Sequence, residues 1–365
     1  MKGLLLFVCL ALSLHCAHAQ ESATELIAKG RNALGKGLSD RAEQYFRRAL
    51  PMDTAAALPL GELLVRREQY AEAAEVLTAC ASADCYACRA RALAALEQWD
   101  SASAVAAIAI ELGATGSPMA TMALCESAAG KHTNAHAWAK KAVEASPDDA
   151  RCWTVMGLVT YRKGGDAEAL RHFRKAVQLD SNSVDACFNL GTMYTLRGNL
   201  DNAVMTLRAG LRRHPKSIRL YQALGRTYRA RSDPHRAAQC YEAVLTIDSA
   251  NLHAWLSLGE ISREKGEYER AQSYYQKCVR IDPTYTPAHK ALGLNYTQWG
   301  DYTKAIRAYQ KAVQIDDKDA DTYLLIAQLY NKQGNSQREQ NAYKKAAKLG
   351  SRPAQQWLIG HGLTW

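Results

Sequence analysis

The sequence of 365 residues predicts an all-α solenoid built from repeated pairs of helices. Three observations lead to this prediction. Between residues 150 and 319, one pattern of 34 residues is written five times in succession. Glycine occupies the eighth position of every copy, as Gly157, Gly191, Gly225, Gly259 and Gly293. Alanine occupies the twentieth position, as Ala169, Ala203, Ala237, Ala271 and Ala305. A fixed period of this length indicates stacked repeats, each contacting its neighbours, and not one globular core.

Each copy contains two helical patterns joined by a turn. In the second copy, apolar residues recur at helical spacing over 188–196, a turn follows at 198–199, and a second apolar series covers 204–211. Proline at the thirty-second position, as in Pro215 and Pro283, ends the second helix because it cannot continue one. The small eighth and twentieth residues let the two helices approach closely. Bulky residues at the fourth and twenty-fourth positions fill the space beside that crossing.

This combination of small, aromatic and proline positions resembles the tetratricopeptide repeat, whose consensus is also 34 residues long. The resemblance implies a right-handed superhelical solenoid of about ten helix-turn-helix repeats with a C-terminal capping helix. It also implies that the first helix of each repeat lines a concave groove that binds proteins or peptides. We therefore expect a non-enzymatic scaffold or adaptor that needs no cofactor, in a role such as envelope or secretion assembly.

Residues 1–19 have the features of a secretory signal peptide. A charged start, an apolar run and the small residues of Ala17–Ala19 predict cleavage before Gln20. The apolar run is too short to span a membrane. A lipoprotein anchor at Cys16 is less favoured, because His15 stands where such signals require a small residue. We expect a periplasmic or secreted protein without a transmembrane segment.

The repeats begin directly after this segment. Small residues at the eighth position mark four irregularly spaced repeats, at Gly30, Gly61, Ala90 and Ala123. Beyond them the spacing is constant as far as Ala327. We therefore divide the mature chain into degenerate N-terminal repeats (20–149), regular repeats (150–353) and a capping helix (354–365).

Alanine at the twentieth position is missing only from the last of the ten repeats. Glu339 stands there, and we expect it to face solvent or the cap. Trp357 and Leu358 are expected to cover the exposed end of the array.

Positive charge is concentrated in one segment. The formal net charge is +10, and residues 197–236 alone contain ten lysines and arginines against two aspartates, a local charge of +8. Arginine suits carboxylates and phosphates. The segment predicts a protein partner or acidic peptide, and alternatively an acidic polysaccharide or lipid head group. Nucleic acid is not expected, since an exported protein rarely meets it.

The resemblance to tetratricopeptide repeats places the candidate binding residues on the concave face. They combine arginines with aromatic and amide groups: Arg219, Arg226, Arg229, Arg263, Arg162, Tyr161, Phe188 and Asn189. The alternative is that Arg226 pairs with Glu260 of the next repeat and the other side chains form a solvated surface. The terminal-carboxylate clamp of some tetratricopeptide domains is incomplete, because only Asn189 and Arg219 match its five positions.

Motifs of enzyme or metal chemistry are incomplete. Residues 30–37 approach a phosphate-binding loop, but Gly37 stands where serine or threonine must bind magnesium. His132 and His136 have the spacing of two metal ligands but lack the glutamate and the third ligand of such a motif. No catalytic residue and no metal site is therefore predicted.

Three cysteines lie close together in the sequence CASADCYAC, across a turn between two repeats. An exported chain meets an oxidising compartment, so a local disulfide among Cys80, Cys85 and Cys88 is a candidate, with its pairing left open.

Overall fold

The computed structural model describes residues 21–365, and within them every regular element is helical. The expected signal peptide lies outside the described residues. Residues 21–365 contain 21 α-helices and two short 3-10 turns, at Thr54–Ala56 and Leu77–Ala79. The prediction of an all-α fold is confirmed.

The helices follow one another with short connections. The first ten are α1 (Ala23–Gly35), α2 (Ser39–Ala49), α3 (Ala57–Arg66), α4 (Tyr70–Val76), α5 (Ala83–Ala95), α6 (Trp99–Glu111), α7 (Ser117–Ala128), α8 (His132–Ala145), α9 (Ala150–Arg162) and α10 (Asp166–Leu179). The others are α11 (Val184–Leu196), α12 (Leu200–Arg213), α13 (Ile218–Ala230), α14 (Pro234–Ile247), α15 (Leu252–Glu264), α16 (Tyr268–Ile281), α17 (Thr286–Trp299), α18 (Tyr302–Ile315), α19 (Ala320–Lys332), α20 (Ser336–Lys348) and α21 (Arg352–Gly360). Odd-numbered helices are the first and even-numbered helices the second of each repeat. Helices α1–α20 thus make ten repeats, and α21 follows them.

The chain forms two compact units. The N-terminal unit contains residues 21–193 together with 212–217, and the C-terminal unit contains 194–211 together with 218–365. The division falls inside the sixth repeat, so it does not coincide with the boundary between degenerate and regular repeats.

Local sequence fixes where the helices begin and end. Ser22 caps α1, because its hydroxyl accepts a hydrogen bond from the Glu25 backbone while the Glu25 carboxylate accepts one from the Ser22 backbone. At the other end of a helix, Gly300 closes α17 with a φ of 90°, in the left-handed region that glycine adopts without strain. Asp319 caps α19 through the backbone N–H of Thr322.

Inside the regular repeats, the eighth-position glycine packs against the bulky twenty-fourth residue of the same repeat. A Cβ built on Gly157 would lie 2.6 Å from the Phe173 ring, and one built on Gly259 would lie 2.3 Å from the Tyr275 ring. Such distances are far below van der Waals contact. The glycine therefore makes room for the ring, which explains why both residue types recur together.

Two of the degenerate repeats have alanine in place of both the eighth-position glycine and the bulky twenty-fourth residue. Repeat four has alanine at both positions, Ala123 and Ala139, which are fully buried in one apolar cluster. Repeat three likewise has the fully buried Ala90 and Ala106. A larger eighth residue is thus accompanied by a smaller twenty-fourth. These repeats are degenerate in sequence, but their two alanines fill the space that a glycine and a ring fill in the regular repeats.

The last helix covers the end of the C-terminal unit. Leu358 is fully buried, and the Trp357 ring stacks on Tyr343 with 4.0 Å between the ring centroids. The helix begins at Arg352, two residues before the predicted boundary. Of the two surroundings expected for Glu339, the structure excludes solvent. Its side chain is only 5 % exposed, and its Oε1 accepts a hydrogen bond of 2.8 Å from the Asn331 amide.

Candidate binding surfaces

The C-terminal unit carries four of the predicted binding arginines, and two of them are engaged with neighbouring repeats. Arg229 donates to Glu260 Oε2 at 2.5 Å and to Glu264 Oε1 at 2.6 Å. Partial burial disfavours its charge, but the hydrogen bonds and charges of these two carboxylates outweigh it and raise the pKa of Arg229. Arg263 donates to the Gln298 amide oxygen at 2.8 Å. Both guanidinium groups thus connect adjacent repeats.

Arg226 differs from these two. Its side chain is exposed, and no carboxylate in residues 21–365 pairs with it. With Arg229, Glu264 and Lys265 it lines a depression of about 590 Å³. The alternative pairing of Arg226 with Glu260 does not occur in the structure, since Glu260 binds Arg229, one helical turn further along α13.

The surroundings of Arg226 show the effect of its charge. Burial, together with the positive charge of Arg226, lowers the pKa of His253 at the start of α15. His253 is therefore neutral at pH 7 and does not add to the positive field. Arg219 lies partly buried in the first turn of α13.

The other predicted binding residues lie in the N-terminal unit. Arg162 is exposed and donates to the Ser127 hydroxyl at 2.8 Å, and Tyr161 beside it is 39 % exposed. Phe188 is partly buried. Asn189 is buried, and its amide donates to the Asp185 backbone carbonyl of its own helix at 2.7 Å. Each unit thus presents its own subset of the predicted residues, with Asn189 turned toward the backbone.

A polar cavity of about 760 Å³ in the N-terminal unit was not predicted. The turns 148–150, 180–184 and 213–214 line it together with the helix ends near Arg66 and Arg91. Spacing within one repeat could not reveal it, because these segments are far apart in the sequence. Five arginines and five carboxylates line it, so its formal charge is balanced.

Arg151 lies deep in this cavity. Its Nη1 donates to the Ser117 backbone and side-chain oxygens at 2.5 and 2.8 Å, and its Nη2 donates to the Thr121 hydroxyl at 2.8 Å. These are neutral acceptors. Burial and the charge of Arg91 lower the pKa of Arg151 to about 10, which still leaves it protonated at pH 7.

The cysteine cluster forms one disulfide, between Cys80 and Cys85, with 6.0 Å between their Cα atoms. Cys88 remains a thiol. Burial raises its pKa to about 11, so the thiolate that attacks electrophiles or binds metals is scarce at neutral pH.

Two further observations concern the described residues as a whole. Within 21–365, no three His, Cys, Asp or Glu side chains come together in an arrangement that could hold a metal ion. No helix in this range combines the length and the apolar character needed to cross a membrane.

Comparison with protein families supports the repeat architecture. The family model of the middle tetratricopeptide-like domain of cilia and flagella-associated protein 70 matches residues 119–247 and again residues 221–350. The two starting points differ by 102 residues, which is three periods of 34, so the same register is found twice. A second family model, described as a tetratricopeptide repeat, matches residues 27–84.

Curated relatives share only a short segment. Superkiller complex protein 3 of Mus musculus and of Homo sapiens is 32 % and 33 % identical over 76 residues, which are 21 % of this chain. The match covers 5 % of those proteins, so the chain corresponds to a small part of their length.

Solved structures extend the likeness along the chain. The anaphase-promoting complex hetero-tetramer Cut9–Hcn1 has a TM-score of 0.57 at 15 % identity, covering 92 % of this chain and 75 % of the other. The human IFIT1 dimer with PPP-AAAA has a TM-score of 0.56 at 16 % identity, covering 92 % of both. A tetratricopeptide repeat protein from Parabacteroides merdae reaches 0.51 at 18 %, covering 66 % and 96 %. At these identities the likeness concerns the fold alone. Helix pairing, repeat register and family models agree, and the chain belongs to the tetratricopeptide repeat family.

Proposed function

We propose that this protein is an exported, non-enzymatic scaffold whose C-terminal unit binds an acidic segment of a protein partner. The tetratricopeptide fold suggests a role in protein interaction, and the family is generally non-catalytic. The observation that carries the proposal is Arg226, an exposed cation that no carboxylate of residues 21–365 neutralises, in a depression of about 590 Å³ beside Lys265. A carboxylate placed there would form charge-assisted hydrogen bonds with a guanidinium.

The neighbouring positions favour a protein segment over a uniform polyanion. Arg226, Glu260 and Leu294 hold the same ninth position in three consecutive repeats. One is basic, one acidic and one apolar, and Leu294 is 39 % exposed. A polysaccharide with a charge on every residue would meet the carboxylate of Glu260, whereas a peptide offers groups of each kind. The acidic polysaccharide or lipid head group therefore remains the second candidate, favoured by Arg226 itself.

Export to the periplasm or outside the cell is part of the proposal. The features of residues 1–19 support it, and so does the Cys80–Cys85 disulfide, because such bonds persist in oxidising compartments. Such a location is compatible with a role in envelope or secretion assembly. The mature N-terminus tests this part: sequencing of the purified native protein should begin at Gln20, and a chain that retains residues 1–19 would contradict it.

The binding proposal is tested by capture from an envelope extract of the source organism, with Arg226→Glu as the variant. Arg229 is unsuitable, because its replacement by glutamate would place three carboxylates together and disturb α13 and α15. Arg307→Glu is the matched control, since Arg307 is exposed on α18 of the same unit and has no ion-pair partner within residues 21–365.

Wild type and Arg307→Glu should recover one protein that Arg226→Glu loses, and this binding should weaken with salt. Recovery of the same protein by all three would contradict the proposal. If no protein is recovered but heparin retains wild type and not Arg226→Glu, the second candidate is favoured.

A further inference from the structure

Contacts between aromatic rings of the two helices of a repeat recur in this chain. In repeat five the Trp153 ring, at the fourth position, packs on His172 at the twenty-third with 5.6 Å between the centroids. In repeat eight Trp255 packs on Tyr274 in the same way, at 5.8 Å. In both repeats the two rings are tilted against each other, with interplanar angles of 33° and 35°.

Repeat seven has only half of this arrangement. Tyr221 supplies the ring at the fourth position, but Cys240 occupies the twenty-third, where the other two repeats have an aromatic residue. The structure has a pocket of about 260 Å³ at this place. It is lined by Arg208, Tyr221, Leu224, Tyr228, Arg236, Gln239 and Cys240. It shares no lining residue with the depression around Arg226.

The pocket is apolar on its inner side. On α13, Tyr228 and Leu224 one turn before it are each 5 % exposed, and Cys240 on α14 is 6 % exposed. Burial raises the pKa of the Cys240 thiol to about 12, so the sulfur stays protonated and uncharged at neutral pH. An uncharged thiol behaves as a small apolar group.

Its rim is positively charged. Arg236 lies over the Tyr228 ring at 5.8 Å and is 3.5 Å from Asp233. Arg208, contributed by α12, is exposed, and no carboxylate in residues 21–365 pairs with it.

We propose that this pocket receives an aromatic side chain from an acidic segment of a protein partner. The incoming ring would occupy the place that His172 and Tyr274 fill in repeats five and eight. The carboxylates beside it would meet Arg208 and Arg236. An aromatic ring gains both burial and offset contact with Tyr221, and a guanidinium binds a carboxylate with directed hydrogen bonds.

The test uses the mature protein and two labelled peptides, acetyl-Asp-Glu-Tyr-Asp-Glu-amide and the same peptide with alanine in place of tyrosine. Fluorescence anisotropy measures their affinities. The tyrosine peptide should bind about tenfold more tightly than the alanine peptide, because only its ring fills the pocket. Equal affinities, or no binding of either peptide at millimolar concentration, would overturn the proposal.

Cys240→Tyr is the decisive variant, because it supplies the ring that repeat eight carries in the same register. It should fill the pocket and abolish the preference for the tyrosine peptide. Arg307→Glu changes an exposed charge outside both proposed sites, and should leave that preference intact. If Cys240→Tyr binds the tyrosine peptide as tightly as wild type does, the ring enters elsewhere and the proposal fails.

Two variants keep the test valid if the tyrosine is too large for the fold. Cys240→His introduces the ring of repeat five and should have the same effect. Arg208→Gln alters an exposed side chain only, and should weaken both peptides about three- to tenfold and reduce the salt dependence of binding. Circular dichroism confirms that each variant is folded. Unchanged binding by Arg208→Gln would contradict the assigned role of this rim.

Discussion

Replacement of Gly259 by alanine should not stabilise the C-terminal unit, although alanine is the better helix former. The new Cβ would lie 2.3 Å from Tyr275 Cε1, 2.7 Å from Cδ1 and 2.9 Å from Cζ. Tyr275 is 0 % exposed, so its ring has no solvent-filled space into which to move. Overpacking of this kind costs about 1–3 kcal/mol, and the helix propensity of alanine returns about 1 kcal/mol. The net loss of unfolding free energy should be about 0–2 kcal/mol.

A second substitution isolates the packing effect. Tyr275→Ala alone should cost about 3–5 kcal/mol, because it leaves a cavity in the core. In that background the alanine at position 259 has room, and should stabilise by about 1 kcal/mol. The coupling energy of the two substitutions should therefore equal the overpacking cost, about 1–3 kcal/mol. Repeat ten, which holds both Ala327 and Tyr343, indicates that the helices can partly adjust, and this favours the lower end of the range.

The free energies are measured by urea unfolding with circular dichroism, and by amide hydrogen exchange of α15 and α16. Exchange is needed because a repeat array can unfold in parts. Gly35→Ala is the control, since no atom beyond its chain neighbours and its own helix backbone lies within 4 Å of the new Cβ, and it should be neutral or stabilising. Stabilisation by Gly259→Ala of equal size with and without the Tyr275 ring would refute the reasoning.

Three further predictions concern single interactions. Reduction of the Cys80–Cys85 bond should lower the free energy of unfolding by about 2 kcal/mol, and a variant with alanine at both positions should show no response to reductant in thermal unfolding. Burial alone would raise the pKa of Asp319, but hydrogen bonds from Lys290 and from the start of its own helix outweigh it and lower that pKa. The contribution of Asp319 to the free energy of unfolding is therefore complete above its unfolded pKa of about 4, and is lost as pH falls through the folded pKa. In acid titrations, the stability of Asp319→Asn should depend less on pH than that of wild type. Glu339→Ala, which introduces the residue of the other repeats, should keep or raise the thermal midpoint because a buried carboxylate is costly, and a fall of several degrees would contradict this.

Much of the fold could be predicted because the same small and bulky residues pack the two helices together in successive repeats. The predicted turn at Gly198 has a φ of 73°, and ten helix pairs stand in the predicted register. The start of the last helix was placed late, at 354. Pro353 fits the first turn of a helix, where its missing N–H has no partner to lose, so α21 begins at Arg352.

The polar contacts could not be predicted in the same way. Arg226 and Arg229 lie one turn apart on the same helix, and either could face Glu260 by spacing alone. The choice depends on the offset between α13 and α15, which lets Arg229 reach both Glu260 and Glu264. The periodic pattern fixes which residues share a face, but not which of two neighbours on that face makes the ion pair.

The repeats also provide an internal standard for finding function. Residues that recur, such as Gly259 with its ring, are accounted for by packing. Departures from the pattern are of two kinds. Some are compensated, as where Ala123 and Ala139 together replace a glycine and a ring. Others are not, as where Cys240 leaves a pocket that two other repeats fill, or where Arg226 has no acidic partner in the described chain. A single substitution within the chain would fill that pocket or neutralise that charge. Because the described chain leaves that pocket unfilled and that charge unpaired, these are the places where a partner can form new contacts and gain binding energy.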